Sequence, residues 1–138
     1  MATKVIWKGD MTFEARTETN HKVLMDLAEK SGGANQGPRP MELVLVSLAG
    51  CTAVDVVSIL KKMREQLEGL EVNVNSERVD QHPRVYRKIE IEFNLKGKNL
   101  KDESVKKAID LSLDKYCSVK TMLEKTAEIS YSYSKVNT

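Results

Sequence analysis

The chain is poor in the features that mark several large classes of protein. It has two cysteines and two histidines in 138 residues: too few cysteines for a disulfide framework, and with the cysteines 66 positions apart and no C-x-x-C pair, no zinc template. Three prolines and seven glycines exclude a collagen-like or low-complexity chain. No sign of charge dominates: 22 Lys and Arg stand against 20 Asp and Glu, for a net +2. Nucleic-acid binders carry a basic excess gathered on one face, so no nucleic-acid partner is expected. The densest basic stretch, Lys61, Lys62 and Arg64, is followed by Glu65 and Glu68, the pattern of a solvated helix face. The opening Met-Ala-Thr-Lys runs directly into strand-like sequence, without the charged segment, apolar run and cleavage site of a secretory signal. A soluble cytoplasmic protein with one domain over residues 1–138 is the expectation.

What is present reads as an α+β fold. Val5 and Trp7 alternate with Lys4 and Lys8, Gly9-Asp10 marks a turn, and Met11, Phe13 and Ala15 alternate with Thr12, Glu14 and Arg16. This is a hairpin, and His21 to Asp26 is read as a third short strand. Ser31 to Pro40 is a loop by its glycine and proline content. From Met41 to about Gln66 only Gly50 opposes a helix, at a cost of about 1 kcal/mol relative to alanine. Gly69 is expected to follow the helix end, with strands from Val72 to Asp80 and around Ile89, Ile91, Phe93 and Leu95. Asp102 is expected to cap a second helix carrying Val105, Ala108, Ile109, Leu113 and Tyr116. Cys117-Ser118 interrupts or restarts it, and Glu128 to Val136 closes the chain as a strand. Strands, long helix, strands, helix, strand implies mostly antiparallel sheet around a long central helix.

That long helix is apolar on nearly every side from Leu43 to Leu60. An acid at Asp55 would cost about 2.5–3.5 kcal/mol at the centre of a membrane span, so a helix enclosed by protein is expected and no membrane partner. A helix apolar all round must be covered all round. A domain of this size can hardly do so alone, which points to a second subunit.

The cysteines carry the chemistry worth considering. Cys51 sits inside the long helix, where apolar surroundings raise a thiol's pKa; Cys117 stands where a new helical turn begins, which lowers it. Each could equally be a buried hydrophobe, the commonest state of an unpaired cysteine. Asp55, one turn beyond Cys51 on about the same face, needs a hydrogen-bonding partner and would raise a neighbouring thiol's pKa. His21 and His82 lie in turn-like surroundings and are read as surface residues.

The run from Pro40 through Glu42, Gly50-Cys51-Thr52 and on to Leu60 resembles the central helix of the OsmC/Ohr family. Tyr116-Cys-Ser-Val-Lys-Thr-Met-Leu123, then Ala127 to Tyr131, resembles that family's second-cysteine turn and closing strand, and Trp7-Lys-Gly-Asp10 its first hairpin. The resemblance implies an intertwined homodimer that reduces organic hydroperoxides. In it Cys51 is the peroxidatic thiol, Cys117 the resolving thiol, and a dithiol reductant such as a lipoylated protein restores the pair, with no cofactor or metal. Organic hydroperoxide resistance members carry a glutamate ten positions before the first cysteine, where this chain has Met41; Glu42, nine before, is the candidate. Arg16 and Arg39 are the candidates for the family's activating arginine. The alternative on the same fold is a non-catalytic protein that binds a small apolar molecule or senses redox state.

Overall fold

The computed structural model describes residues 2–138, which form two compact units, 2–46 and 47–138. In the first, β1 (Lys4–Trp7), β2 (Phe13–Arg16) and β3 (Lys22–Met25) make an antiparallel sheet in the order β1-β2-β3. The β1–β2 turn places Gly9 at φ 108° and Asp10 at φ 47°. It is closed by the Lys8 N–H on the Thr12 carbonyl and by the Trp7 indole N–H on the Asp10 carbonyl, 2.8 Å. The alternation in β1 does not translate into burial, because Val5, Ile6 and Trp7 are all exposed.

Helix α1 spans Pro40–Lys62 and crosses from the first unit into the second. Its first turn is capped by Glu42, whose Oε1 accepts the Arg39 backbone N–H at 2.8 Å, the reciprocal half of a capping box. It is long and apolar enough to span a membrane by length and composition, yet a stripe of it is buried. Leu48, Thr52, Val56 and Leu60 recur every fourth residue and are inaccessible. Only this stripe of the helix is fully buried; most of its neighbours are partly covered, and Val46 and Val54 remain 61% and 69% exposed.

The helix ends four residues earlier than its composition suggests. β4 (Gln66–Arg78) begins before Gly69, which lies inside the strand opposite Lys96 beside a bulge. Strand pairing outcompetes helix propagation here because β5 (Tyr86–Lys98) offers Gln66 and Leu67 partners at Lys98 and Gly97. Ile89, Ile91, Phe93 and Leu95 of β5 are all buried while Lys88, Glu90 and Glu92 are exposed, as period-2 alternation requires. A fully buried side chain of this size contributes about 1.5–3 kcal/mol.

Helix α2 (Asp102–Leu111) follows, capped by Lys101 rather than Asp102 and without a side-chain bond. Asp102 occupies the first turn, where it accepts from the Tyr133 hydroxyl and pairs with Lys135. A five-residue π turn, Ser112–Tyr116, and a short helix α3 (Ser118–Leu123) lead to β6 (Glu128–Asn137). The second sheet has the order β4-β5-β6, antiparallel between β4 and β5 but parallel between β5 and β6. The architecture is thus α+β with mostly antiparallel pairing, and the closing strand is the exception. A parallel neighbour needs a crossover connection, and here α2, the π turn and α3 supply it.

Candidate active site

Cys51 and Cys117 come together in the second unit. Cys51 is on α1 next to the buried stripe, about 100° around the helix from Thr52, and is half-buried. Cys117 is buried, 1% exposed. Both are reduced, and the Cys51 side chain is a hydrogen-bonding neighbour of the Cys117 thiol.

The break in the helix around Cys117 has a local cause. The Cys117 N–H donates to the Ser112 carbonyl at 2.7 Å, five residues back, which widens the backbone into a π turn. Cys117 itself is extended (φ −77°, ψ 100°) and caps α3. Its carbonyl accepts from Thr121 and its Sγ accepts the Lys120 N–H at 3.5 Å. That cap is the helix-start environment expected to lower the thiol's pKa, but it is outweighed. Burial is the largest influence on Cys117 and pushes it up; the Lys120 N–H pulls it down; Cys51 and the Asp55 carboxylate raise it again. The result is about 11, which keeps Cys117 a thiol at neutral pH, against the lowering expected from its place at a helix start. Of the two, Cys51 is the more accessible.

A polar chain lies beside the thiols. The Ser112 hydroxyl donates to Asp55 Oδ2 at 2.8 Å. Its one proton being spent there, it accepts from the Thr52 hydroxyl, also 2.8 Å away. Thr52 and Ser112 are both fully buried. Asp55 therefore has the hydrogen-bonding partner its place in an apolar helix demands. Ser112 and Thr52 escaped the sequence reading. The available signal was two polar residues three apart, Thr52 and Asp55, on an otherwise apolar helix, a pattern that requires a buried partner from elsewhere.

The remaining predicted site residues have their bonds inside Met1–Val46. Arg16 pairs with Glu14 at 3.5 Å along β2. Arg39 Nη1 donates to Asn35 Oδ1 at 2.6 Å and to the Gly37 carbonyl, and its backbone N–H is the one Glu42 caps. Met41 stands beside Glu42 in the same helical turn. His21 and His82 are exposed, as expected. Among the described residues, no group of three or more His, Cys, Asp and Glu is placed to hold a metal.

The same unit contains an acid whose role the sequence did not announce. Asp26 is 1% exposed and accepts backbone N–H groups from Leu27, Ala34 and Gln36 and the Thr12 hydroxyl. Burial pushes its carboxyl up, but these donors together hold it below the usual carboxylate range. Its bonds fold the loop that leads to α1.

The OsmC-like protein family matches residues 32–132. Protein YhfA of Escherichia coli K12 is 42% identical over 136 residues, covering 99% of this chain and 98% of YhfA. The crystal structure of a hypothetical protein from Aquifex aeolicus VF5 is 28% identical with a TM-score of 0.81, covering 98% and 96% of the two chains. An organic hydroperoxide resistance protein OsmC from Legionella pneumophila superposes with a TM-score of 0.68 over 97% of each chain, at 12% identity, a likeness of fold. Cys51 on α1 and Cys117 at the cap of α3 both fall inside the matched span, and this chain belongs to the OsmC-like protein family.

Proposed function

We propose that the protein is a thiol-dependent hydroperoxide reductase in which Cys51 attacks and Cys117 resolves. The carrying observation is the pairing of a half-buried Cys51 with a buried Cys117 that stays protonated. The Cys51 thiolate displaces alkoxide from the peroxide and becomes a sulfenic acid, and the alkoxide leaves as an alcohol once protonated. Cys117 then attacks the Cys51 sulfur; the S–O bond breaks, the disulfide forms, and the Cys117 proton departs with the hydroxyl as water. A resolving thiol so close prevents further oxidation to sulfinic acid. A dithiol reductant, a lipoylated protein being the family's precedent, returns both cysteines to thiols.

The working form is a homodimer of this single OsmC-like domain. The uncovered face of α1, with Val46 and Val54 outward, supports it, because large exposed apolar patches mark interaction sites. Arg16 and Arg39 are the candidate cations for activating Cys51, Arg39 across the subunit interface, and Glu42, nine positions before Cys51 on the same helix, is the candidate for the family's glutamate.

The test is intact mass after one equivalent of an organic hydroperoxide. Wild type should lose two hydrogens, and Cys117→Ser should hold a trappable sulfenic acid on Cys51. Two thiols surviving in the wild type would overturn the reading.

One feature favours a second reading, a binding protein for a small apolar molecule. Ala53, Val54, Val57, Leu67 and Leu70 line an open groove of about 730 Å³ that includes neither cysteine. Apolar ligand retained through purification, with inert thiols, would support it.

A further inference from the structure

Ser112 occupies an unusual junction. Its side chain reaches two residues of α1, donating to Asp55 and accepting from Thr52, both at 2.8 Å. Its carbonyl holds the Cys117 N–H at 2.7 Å. One residue thus joins the helix that carries Cys51 to the turn that carries Cys117. The alternative connection between the two cysteines runs through all of β4, β5 and α2, far too long a path to set a sulfur–sulfur approach. The bonds of Ser112 are short, and the Thr52 and Ser112 hydroxyls are sealed from water, where a hydrogen bond is electrostatically stronger than in solvent. The π turn that the Ser112 carbonyl closes also costs regular α-helical bonding, an irregularity that recurs at functional sites.

We propose that Asp55, Ser112 and Thr52 form a positioning clamp, centred on Ser112, that holds the Cys117 thiol against Cys51 for disulfide closure. The inference deepens the peroxidase reading and rests on it for its biological use, but the clamp concerns the dithiol–disulfide step alone. From two thiols the step joins the sulfurs with loss of two electrons and two protons, both taken up by glutathione disulfide, which leaves as two glutathione thiols. From a Cys51 sulfenic acid, already oxidised by the peroxide, the Cys117 thiol displaces the hydroxyl and only water is lost. A clamp that fixes the approach raises the effective concentration of one thiol at the other, whichever oxidant is used. Asp55 has a second part. Facing Cys117 are Cys51 and Asp55 from α1 and the Lys120 N–H from α3. The Lys120 ammonium is held by Glu124 at 2.6 Å, and Asp114 and Lys115 of the π turn are exposed. Asp55 is the carboxylate among the groups that keep the resolving sulfur neutral.

The test is the disulfide equilibrium of the whole protein in glutathione buffers of graded ratio, read by mass after alkylation. Ser112→Ala should lower the equilibrium constant for the Cys51–Cys117 disulfide at least tenfold, about 30 mV for a two-electron couple, with Thr52→Val moving it in the same direction by less. General loosening of the fold would lower the melting temperature without this shift. Asp55→Asn keeps an acceptor for the Ser112 proton and should spare the equilibrium to within about threefold. In a Cys51→Ser background it should move the alkylation-rate profile of Cys117 to lower pH, a change that a purely structural role would not produce. Should Ser112→Ala fail to fold, Thr52→Val and Asp55→Asn carry the test between them. Equilibria within twofold of wild type for both Ser112→Ala and Thr52→Val, or an unmoved Cys117 profile in Asp55→Asn, would overturn the clamp. Because glutathione drives the reaction, a wild type that closes its disulfide but consumes no hydroperoxide would sink the peroxidase reading and leave the clamp standing.

Discussion

Asp26 in the first unit and Cys117 in the second are each 1% exposed, and burial opposes ionisation of both. They end in opposite states. Asp26 is surrounded by three backbone N–H donors and a hydroxyl, and its carboxyl is held below the ordinary range. Cys117 receives one long bond from an N–H and has a carboxylate nearby, and its thiol is raised to about 11. Burial therefore does not decide charge; the dipoles aimed at the buried atom do. The first unit holds a charged structural anchor, and the second a buried thiol kept neutral.

The strongest way to break this contrast is to remove the anchor. Asp26→Ala would leave the N–H groups of Leu27, Ala34 and Gln36 without their acceptor, and unsatisfied buried donors are costly. We expect the largest loss of any variant here, a melting temperature lower by roughly 5 °C or more, with early proteolytic cutting in residues 27–39. A melting curve and limited proteolysis would show it. Gly33→Ala attacks the same anchor sterically: an added Cβ would lie 2.1 Å from the Leu27 carbonyl oxygen and 2.7 Å from Asp26 Oδ1. Its effect should be similar in kind and somewhat smaller, because the loop can shift while the acid stays.

The subtlest comparison uses pH. The depressed carboxyl of Asp26 stabilises the fold above its unfolded value of about 3.9, and that contribution disappears as pH falls through the lower folded value. The raised thiol of Cys117 works in the other direction. Its contribution is complete below the unfolded value and is lost as pH rises from about 9 through about 11. Denaturant midpoints should fall on both limbs. Asp26→Asn should flatten the acid limb and Cys117→Ser the alkaline one; an alkaline limb unchanged by Cys117→Ser would refute the assignment.

The contrast also explains what could be read in the chain beforehand. β5 was plain because Ile89, Ile91, Phe93 and Leu95 alternate with charged residues, and the core wants one face. The break at Cys117 was visible because Tyr116-Cys-Ser ends an apolar period. The α1 boundary was misplaced because Glu65 and Gln66 suit a helix as well as a strand, and only pairing with Lys98 decides. Asp26 was silent for a deeper reason. Its partners are mostly backbone N–H groups, which every sequence possesses, so no side chain advertises them; Gly33 and Gly37, which make room for the loop, were the available trace. Ser112 was silent because its partners lie 57 and 60 residues away. The parallel pairing of β6 was likewise hidden, since alternation reports a face and carries no direction.

That parallel pairing also bears on where the segment carrying Cys117 sits. The segment bearing Cys117 is strung between two strands whose alignment is fixed, Ile89 opposite Ile129 and Phe93 opposite Tyr133. β6 is pinned further by the Tyr131 hydroxyl on Asp110 and the Leu100 N–H on Asn137 Oδ1. A slip of β6 by two residues would preserve its buried face yet carry its start about 7 Å along the sheet, and the short α3 leading into it could not stay in place. The ladder beside β5 thus serves as a ruler for the segment that ends at its start, α3 and the turn before it.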